Sequence, residues 1–273
     1  MTDRSRFFAV LDLVRWRNGA VAALGVMFGA WWGGEGSLAS PGPALLASLA
    51  AIAFTACANA WNDAADVEID RIAHPNRPLP RGELDGILAR WIAAGAALVG
   101  LAAAFAARPV LGWISVPVVA LMVVYSPLLK SRGLVGNLTV AVLASLPFLY
   151  GAWVSDAPRA GVMLVLIATP LHLAREIAKD LEDAAADAAV RRTLPMIVGS
   201  RRAGQIVIGA LVAFGALLLP IVAARPLLAL TLTPALVLCG MAARAIVRGT
   251  RGSPGLLKVA MLCVMAAFVV ARP

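Results

Sequence analysis

Apolar runs long enough to cross a membrane recur along this chain and are separated by short polar connections. They predict about nine helical spans, with approximate limits 17–37, 43–65, 87–107, 110–128, 133–154, 160–182, 203–223, 226–247 and 255–271. The runs are continuously apolar and lack the period-two alternation of barrel strands. Nine spans of about 20 residues use about 180 positions, so only short loops remain. The pattern predicts an all-α polytopic membrane protein in which residues 1–273 form a single integral-membrane domain.

Polar side chains interrupt the apolar pattern along one face of the second span and its end. In chain order they are Thr55, Asn59, Asn62, Asp66 and Asp70, with Asp63 at the edge of the face. The spacing of three or four residues places successive members one above another on a helix. Glu68 points away from this face. The helix therefore presents a polar stripe that is charged at the end of the span and neutral further in.

A second polar stripe follows one face of the sixth span. Its members are Thr169, His172, Glu176, Asp180, Asp183 and Asp187, and Glu182 points elsewhere. Ionised groups within or near a membrane are costly and usually face a cavity with a function. If the two stripes face each other, the helical bundle surrounds a central cavity that opens where the aspartates are concentrated.

The basic residues indicate which side of the membrane holds this opening. The composition is 61% hydrophobic with a mean hydropathy of +0.85, and the net charge is +9. Of the 24 Lys and Arg residues, all but Arg108, Arg159, Arg225 and Arg272 fall on one side of the predicted spans. By the positive-inside rule, the N-terminus and the cavity mouth face the cytoplasm, which places the protein in the inner (cell) membrane. Because this charge bias reflects topology, we expect no nucleic-acid partner.

The first 16 residues mix acidic and basic groups with apolar side chains such as Phe7, Phe8 and Leu11. They lack the basic start, compact apolar stretch and small-residue cleavage site of a signal peptide. A short helix that lies in the membrane interface is the better interpretation.

The two stripes suggest a magnesium site that holds a diphosphate. Mg²⁺ prefers hard oxygen ligands and commonly bridges a few carboxylates to substrate phosphates. We expect its ligands to be Asn62, Asp66, Asp70, Asp180, Asp183 and Asp187, with Asp66, Asp70, Asp183 and Asp187 essential for catalysis. Basic side chains beside the stripes suit phosphate oxygens. The candidates are Arg77, Arg81, Lys130 and Lys179. Metal at this position makes pyrophosphate a better leaving group, so an allylic prenyl diphosphate can ionise to a carbocation.

At these residues the chain resembles the UbiA superfamily of intramembrane prenyltransferases. The family's NDxxDxxxD motif matches Asn62-Asp63-x-x-Asp66-x-x-x-Asp70, its RPL segment matches 77–79, and its DxxxD motif matches Asp183 and Asp187. The likeness implies nine transmembrane helices, Mg²⁺ dependence and a prenyl diphosphate donor.

Within the superfamily, REIAKDLED at 175–183 and YSPLLKSRGLVGNLTVA at 125–141 resemble the digeranylgeranylglyceryl phosphate synthases. This likeness implies that Asn18 and Lys130 are pocket residues. The full set expected to line the substrate pocket is Asn18, Asn59, Asp63, His172 and Glu176. That group usually carries Val-Glu-Gly where this chain has three alanines at 184–186, so the loop that shapes acceptor access differs.

The predicted activity is the Mg²⁺-dependent transfer of a prenyl group, such as geranylgeranyl, to a hydrophobic acceptor dissolved in membrane lipid. The acceptor is a prenylated glycerol phosphate or an aromatic quinone precursor. An alternative is a membrane terpene cyclase, which ionises the same diphosphate but adds no acceptor. A distant alternative is a secondary transporter that uses His172, Glu176 and the aspartates as an ion path. Against a transporter, the chain shows no convincing internal repeat.

Overall fold

The computed structural model describes residues 3–38, 40–187 and 192–271, without the side chains of 3–5, 73 and 185–187. Within these ranges every regular element is helical. The elements are α1 (Asp3–Leu13), α2 (Trp16–Gly33), α3 (Pro41–Ala65), α4 (Val67–Ala73), α5 (Gly86–Ala107), α6 (Pro109–Val124), a π-helix (Tyr125–Leu129), α7 (Leu134–Val154), α8 (Pro158–Asp187), α9 (Leu194–Val198), α10 (Ser200–Ala224), α11 (Pro226–Thr231), α12 (Thr233–Arg248) and α13 (Ser253–Val270). The predicted all-α class is confirmed.

The long helices follow the predicted spans closely. Among the described residues, seven helices are long and apolar enough to cross a membrane: α3, α5, α6 with the π-helix, α7, α8, α10 and α13. The predicted span 226–247 was wrong as one continuous helix, because the structure divides it at Leu232 into α11 and α12. Pro234 explains the division, since a proline has no amide hydrogen to donate to the preceding turn. The count of nine spans is therefore approximate.

The chain divides into two compact units. The first contains the described residues up to Lys130 together with Leu146–Val162, and the second contains Ser131–Ser145 and the described residues from Met163 onward. The boundaries fall inside α7 and α8, so each of these helices begins in one unit and ends in the other. The assignment of residues 1–273 to a single domain stays a prediction.

Small side chains dominate the core of the first unit. Buried alanines of α3 (Ala44, Ala47, Ala50 and Ala51) belong to the same cluster as Ala103, Ala104 and Ala107 of α5. Close helix approach also occurs between α2 and α7, where a Cβ on Gly151 would overlap the backbone oxygen of Val26. Lipid tails are as apolar as the helix surfaces, so no hydrophobic driving force brings helices together in a membrane. They associate mainly by tight packing of this kind.

A second cluster of buried residues fixes the start of the chain and the loop after α4. It contains Ala9, Leu13, Cys57, Ala60, Ala64, Leu79, Leu84, Ala89 and Ala93. Helix α1 contributes Ala9 and Leu13 to this cluster, while its Phe7 and Phe8 are exposed. The location of α1 in the membrane interface stays a prediction. The packing holds α1 and the 77–84 loop against the same end of α3.

Candidate active site

The first acidic motif lies at a break between two helices. Helix α3 ends at Ala65 and α4 begins at Val67, with Asp66 between them at φ −104° and ψ 11°. The expected continuous helical face was therefore wrong at Asp66, which adopts the sparsely populated bridge region. Hydrogen bonds between residues four apart nevertheless continue across the break. The Asp66 amide donates to the Asn62 carbonyl (3.0 Å), and the Asp70 amide donates to the Asp66 carbonyl (2.8 Å).

Three carboxylates of this motif are buried. Asp63, Asp66 and Asp70 are only 2%, 5% and 3% exposed, whereas Glu68 is exposed and pairs with Arg71 at 2.9 Å. An isolated carboxylate without water is very costly, so buried carboxylates require cationic or metal partners. The structure supplies cations from three separate segments of the first unit.

Lys130 is the cation nearest the helix break. Its Nζ donates to Asn62 Oδ1 at 3.1 Å and forms an ion pair with Asp66. The preceding π-helix sets this position, since the Lys130 amide donates to the Tyr125 carbonyl five residues earlier at 2.9 Å. Ser126 Oγ, within the same π turn, donates to Asn62 Oδ1 at 3.2 Å. Single π turns occur frequently at functional sites, and this one places two donors on Asn62.

Arg77 and Arg15 provide the other two cations. Arg77 Nη1 lies 2.5 Å from Asp70 Oδ2 and 3.3 Å from Asp63 Oδ1. Arg15 Nη2 lies 2.7 Å from the same Asp63 Oδ1. Three carboxylates thus meet three cations, and the cluster is close to neutral. Sequence reasoning chose Arg77 and Lys130 for this region but gave Arg15 and Ser126 no role in the site.

Other predicted residues of the first unit lie apart from this network. Arg81 is 56% exposed and pairs with Glu83 at 2.7 Å, so the structure does not bring it to the carboxylates. Asn18 is exposed on α2. The side-chain amide of Asn59 donates to two backbone carbonyls, that of Thr55 at 2.8 Å and that of Val14 at 3.4 Å. Its contacts indicate a structural role at the junction of α1 and α2.

In the second unit, the second acidic motif continues along α8. Asp180 accepts a hydrogen bond from the buried Asn137 of α7 (2.9 Å), and Asp183 is half-buried. Glu176 forms an ion pair with its neighbour Arg175. His172 and Lys179 are half-buried on the same helix. The predicted ligand Asp187 lies in α8, and its side chain is outside the described residues.

Glu182 has a structural role that its sequence position did not reveal. Its Oε1 accepts from the amides of Gly252 (2.8 Å) and Ser253 (2.9 Å) and from Ser253 Oγ (2.9 Å). These groups begin α13, whose first amides have no partners within the helix. Glu182 therefore caps α13 with a carboxylate supplied from between Asp180 and Asp183.

The donor set suits Mg²⁺ held partly by substrate. Asn62 offers an amide oxygen, and Asp66 and Asp70 offer carboxylates, all hard oxygen ligands. Across the described residues, however, no three His, Cys, Asp or Glu side chains converge on one point as a complete metal cage. Mg²⁺ commonly uses one or two protein carboxylates together with phosphate oxygens and water, so an incomplete cage fits this ion.

Known proteins resemble this chain in sequence and in fold. Residues 22–270 match the UbiA prenyltransferase family. A digeranylgeranylglyceryl phosphate synthase from Methanopyrus kandleri is 39% identical over 192 residues, covering 70% of each chain. The enzyme of the same name from Natronomonas pharaonis is 36% identical over 286 aligned residues, covering 98% of each chain.

A solved structure extends the comparison to the fold. The UbiA homologue from Archaeoglobus fulgidus, bound to GPP and Mg²⁺, matches with a TM-score of 0.70 over 97% of this chain and 98% of its own, at 18% identity. At that identity the likeness concerns the fold. The match over residues 22–270 contains both acidic motifs and residues of both units. The chain belongs to the UbiA prenyltransferase family, and it is a prenyltransferase of the membrane-embedded helical type.

Proposed function

We propose that this prenyltransferase joins the prenyl group of an allylic prenyl diphosphate to a prenylated glycerol phosphate, in a reaction that requires Mg²⁺. The observation that carries the proposal is the pairing of three buried carboxylates with Arg15, Arg77 and Lys130 at the end of α3. Such a site contains the two kinds of group that a metal diphosphate needs. Its carboxylates suit the metal, and its guanidinium and ammonium groups suit the phosphate oxygens.

Ligand binding then exchanges partners within the cluster. Lys130 and Arg77 turn from Asp66 and Asp70 to the diphosphate oxygens, and the freed carboxylates would hold the metal. Mg²⁺ held there would neutralise charge on the diphosphate and make it a better leaving group. Asp183 and Asp187 of the second motif are proposed as further metal ligands, and Asp180 is proposed to support them.

In the chemical step, the bond between C1 of the prenyl chain and the diphosphate oxygen breaks. Pyrophosphate leaves with the bonding electrons, and an allylic cation remains. A hydroxyl oxygen of the acceptor attacks C1 and forms an ether, and its proton passes to the released pyrophosphate. Lys130 and Arg77 stabilise the charge that develops on the leaving group, which is where fixed cations contribute most to rate.

The choice of acceptor is supported by the relatives. Both named relatives are digeranylgeranylglyceryl phosphate synthases, and one of them aligns over almost the whole chain. An aromatic quinone precursor is the competing acceptor. Membership of a prenyltransferase family argues against the transporter alternative. The proposed location is the cell membrane, with the site open to the cytoplasm as the distribution of basic residues predicts.

The test uses purified protein in detergent with geranylgeranyl diphosphate and Mg²⁺. Geranylgeranylglyceryl phosphate, a panel of aromatic acids, or no acceptor is added separately, and the products are identified by mass spectrometry. We expect one prenyl unit to be added to the glycerol phosphate lipid. Addition to an aromatic acid overturns the acceptor, and an acceptor-free terpene makes the enzyme a cyclase.

Matched variants test the metal ligands. Asp66→Asn and Asp183→Asn keep size but remove a carboxylate charge, and each is expected to abolish Mg²⁺-dependent turnover. Glu68→Gln is the control, because Glu68 belongs to the same segment but its side chain is 73% exposed. Turnover by either Asn variant at the rate of the control contradicts the assignment.

A further inference from the structure

Asp63 differs from the other buried carboxylates because it has two arginine partners. Its Oδ1 accepts from Arg15 Nη2 at 2.7 Å and from Arg77 Nη1 at 3.3 Å. Arg77 also bonds Asp70, so it is shared between two carboxylates. Arg15 has no second carboxylate among its described ion pairs. The shorter contact of Asp63 is therefore with the arginine that is not shared.

The backbone at Arg15 is held in an unfavourable conformation. Arg15 lies between α1 and α2 with φ 50° and ψ 55°, in the left-handed region that side chains other than glycine rarely adopt. Such conformations persist only where the surrounding structure imposes them, and they concentrate at functional sites.

Contacts of the two residues that precede Arg15 hold this part of the chain in place. The preceding Leu13 is fully buried in the cluster beneath α1, and the Val14 carbonyl accepts from Asn59 Nδ2 at 3.4 Å. The junction is thus fixed to α3, and the Arg15 guanidinium is directed at Asp63. Arg17, two residues later, shows the contrast, since it is exposed and lies over the ring of Trp16 at 5.6 Å.

We propose that Arg15 is a positioning residue that keeps Asp63 neutralised while Arg77 turns to the substrate diphosphate. This inference rests on the proposed function. When Arg77 leaves Asp63, a carboxylate that is 2% exposed would lose its counterion if Arg15 were absent. A buried carboxylate without a cation is strongly unfavourable. Arg15 removes that cost, and it acts on the substrate only through Asp63 and Arg77.

Removal of the Arg15 charge alone is expected to weaken diphosphate binding, whereas removal of the Asp63 charge as well is expected to cancel that effect. In Arg15→Gln, a diphosphate must take Arg77 from a carboxylate that has no other cation, and we expect about tenfold weaker binding. In the double variant Arg15→Gln/Asp63→Asn, no buried charge is left unpaired, and affinity returns to within about twofold of Asp63→Asn alone. Arg15→Lys keeps the charge and is expected to bind nearly as the unmodified protein does. Arg17→Gln is the matched control for loss of one positive charge in α2.

Binding is measured by calorimetry in detergent, with Mg²⁺ and a geranyl diphosphate whose bridging oxygen is replaced by sulfur so that it ionises slowly. Thermal unfolding of every variant is followed in parallel. Failure of the unmodified protein to bind this probe rejects the proposed function itself. If it binds, equal affinities of Arg15→Gln and Arg17→Gln overturn the role of Arg15, as does a double variant no tighter than Arg15→Gln.

If Arg15 had only a structural role, Arg15→Gln would lower thermal stability, and adding Asp63→Asn to it would not restore diphosphate affinity. If Arg15→Gln does not fold, Arg15→Lys and the double variant decide the question. Arg15→Lys is expected to bind the diphosphate probe within about twofold of the unmodified protein, and the double variant within about twofold of Asp63→Asn. A tenfold loss in either one contradicts the inference.

Discussion

Lys130 and Asp66 form an ion pair that joins the end of the π-helix to the break between α3 and α4. Both side chains are largely buried, at 14% and 7% exposure. The lysine is 64 positions away in sequence, so its contact with Asp66 exists only because the π turn and α3 are packed together. Trp61 strengthens that packing, because its Nε1 donates to the Val123 carbonyl at 3.0 Å.

Replacement of Lys130 should damage both stability and activity. Lys130→Met leaves Asp66 buried without this cation, and loss of one partner of a buried pair typically costs about 3–5 kcal/mol. We expect a lower thermal unfolding temperature and no measurable prenyl transfer. Lys130→Arg retains the charge and should preserve stability better than activity, because the guanidinium does not reproduce the compact ammonium.

Arg132→Met provides the control for Lys130. Arg132 is exposed and lies two residues further along the chain. Its replacement is expected to leave unfolding temperature and turnover within error of the unmodified protein. Equal effects of the two methionine variants would show that the Lys130–Asp66 pair has no special importance.

The length of the π turn should determine where Lys130 points, and therefore whether the enzyme is active. Deletion of Leu128, a 55% exposed residue within Tyr125–Leu129, shortens the turn by one residue. One residue corresponds to about 100° of rotation around a helix, so Lys130 would point away from Asn62 and Asp66. We expect loss of Mg²⁺-dependent turnover while far-UV circular dichroism still reports the native helix content. Leu128→Ala, which keeps the length, should retain activity; inactivity of this variant as well would indicate a role for the side chain instead.

The sequence predicted the long helices and both acidic motifs because these depend on local patterns. Apolar runs of spanning length identify helices in a membrane, and in-face spacing identified Asn62, Asp66 and Asp70 as one group. Arg77 and Lys130 were both named from the sequence, as candidates for binding the diphosphate; their ion pairs with Asp70 and Asp66 were not predicted. The membership of the UbiA family, predicted from the same motifs, is confirmed.

Which charged side chains pair with each other was harder to predict, since this depends on tertiary packing. Arg81 carries the same group as Arg77 and lies four residues later, yet it pairs with Glu83 at the surface. Arg15 was counted with the basic residues that set topology, although it bonds a buried aspartate 48 positions away. Glu182 was correctly separated from the stripe of aspartates, but its contact with α13 spans 70 residues and has no local signal. Breaks at Asp66 and Leu232 were missed because both lie inside continuous helical patterns.

Loss of the Glu182 cap should affect stability more than chemistry. Glu182→Ala removes the acceptor that three donors at the start of α13 share, and loss of a helix cap to alanine typically costs about 0.5–2 kcal/mol. The expected result is a lower unfolding temperature, with the Michaelis constant for the prenyl diphosphate unchanged. A thermal-shift assay and steady-state kinetics measure the two quantities. A change in the Michaelis constant at unaltered stability would instead place Glu182 in the substrate site.

Close packing between α2 and α7 gives the last prediction. A Cβ at Gly151 would overlap the Val26 carbonyl oxygen and the Ala30 amide nitrogen, both of which are backbone atoms that cannot rotate away. Gly151→Ala must therefore separate the helices, and overpacking of this kind typically costs about 1–3 kcal/mol. Gly240→Ala is the matched control, since a Cβ there meets nothing within 4 Å and alanine favours the interior of α12. We expect the first variant to unfold at a lower temperature and the second to be unchanged or slightly more stable. If Gly151→Ala is as stable as Gly240→Ala, the two helices are not packed as closely as the structure shows.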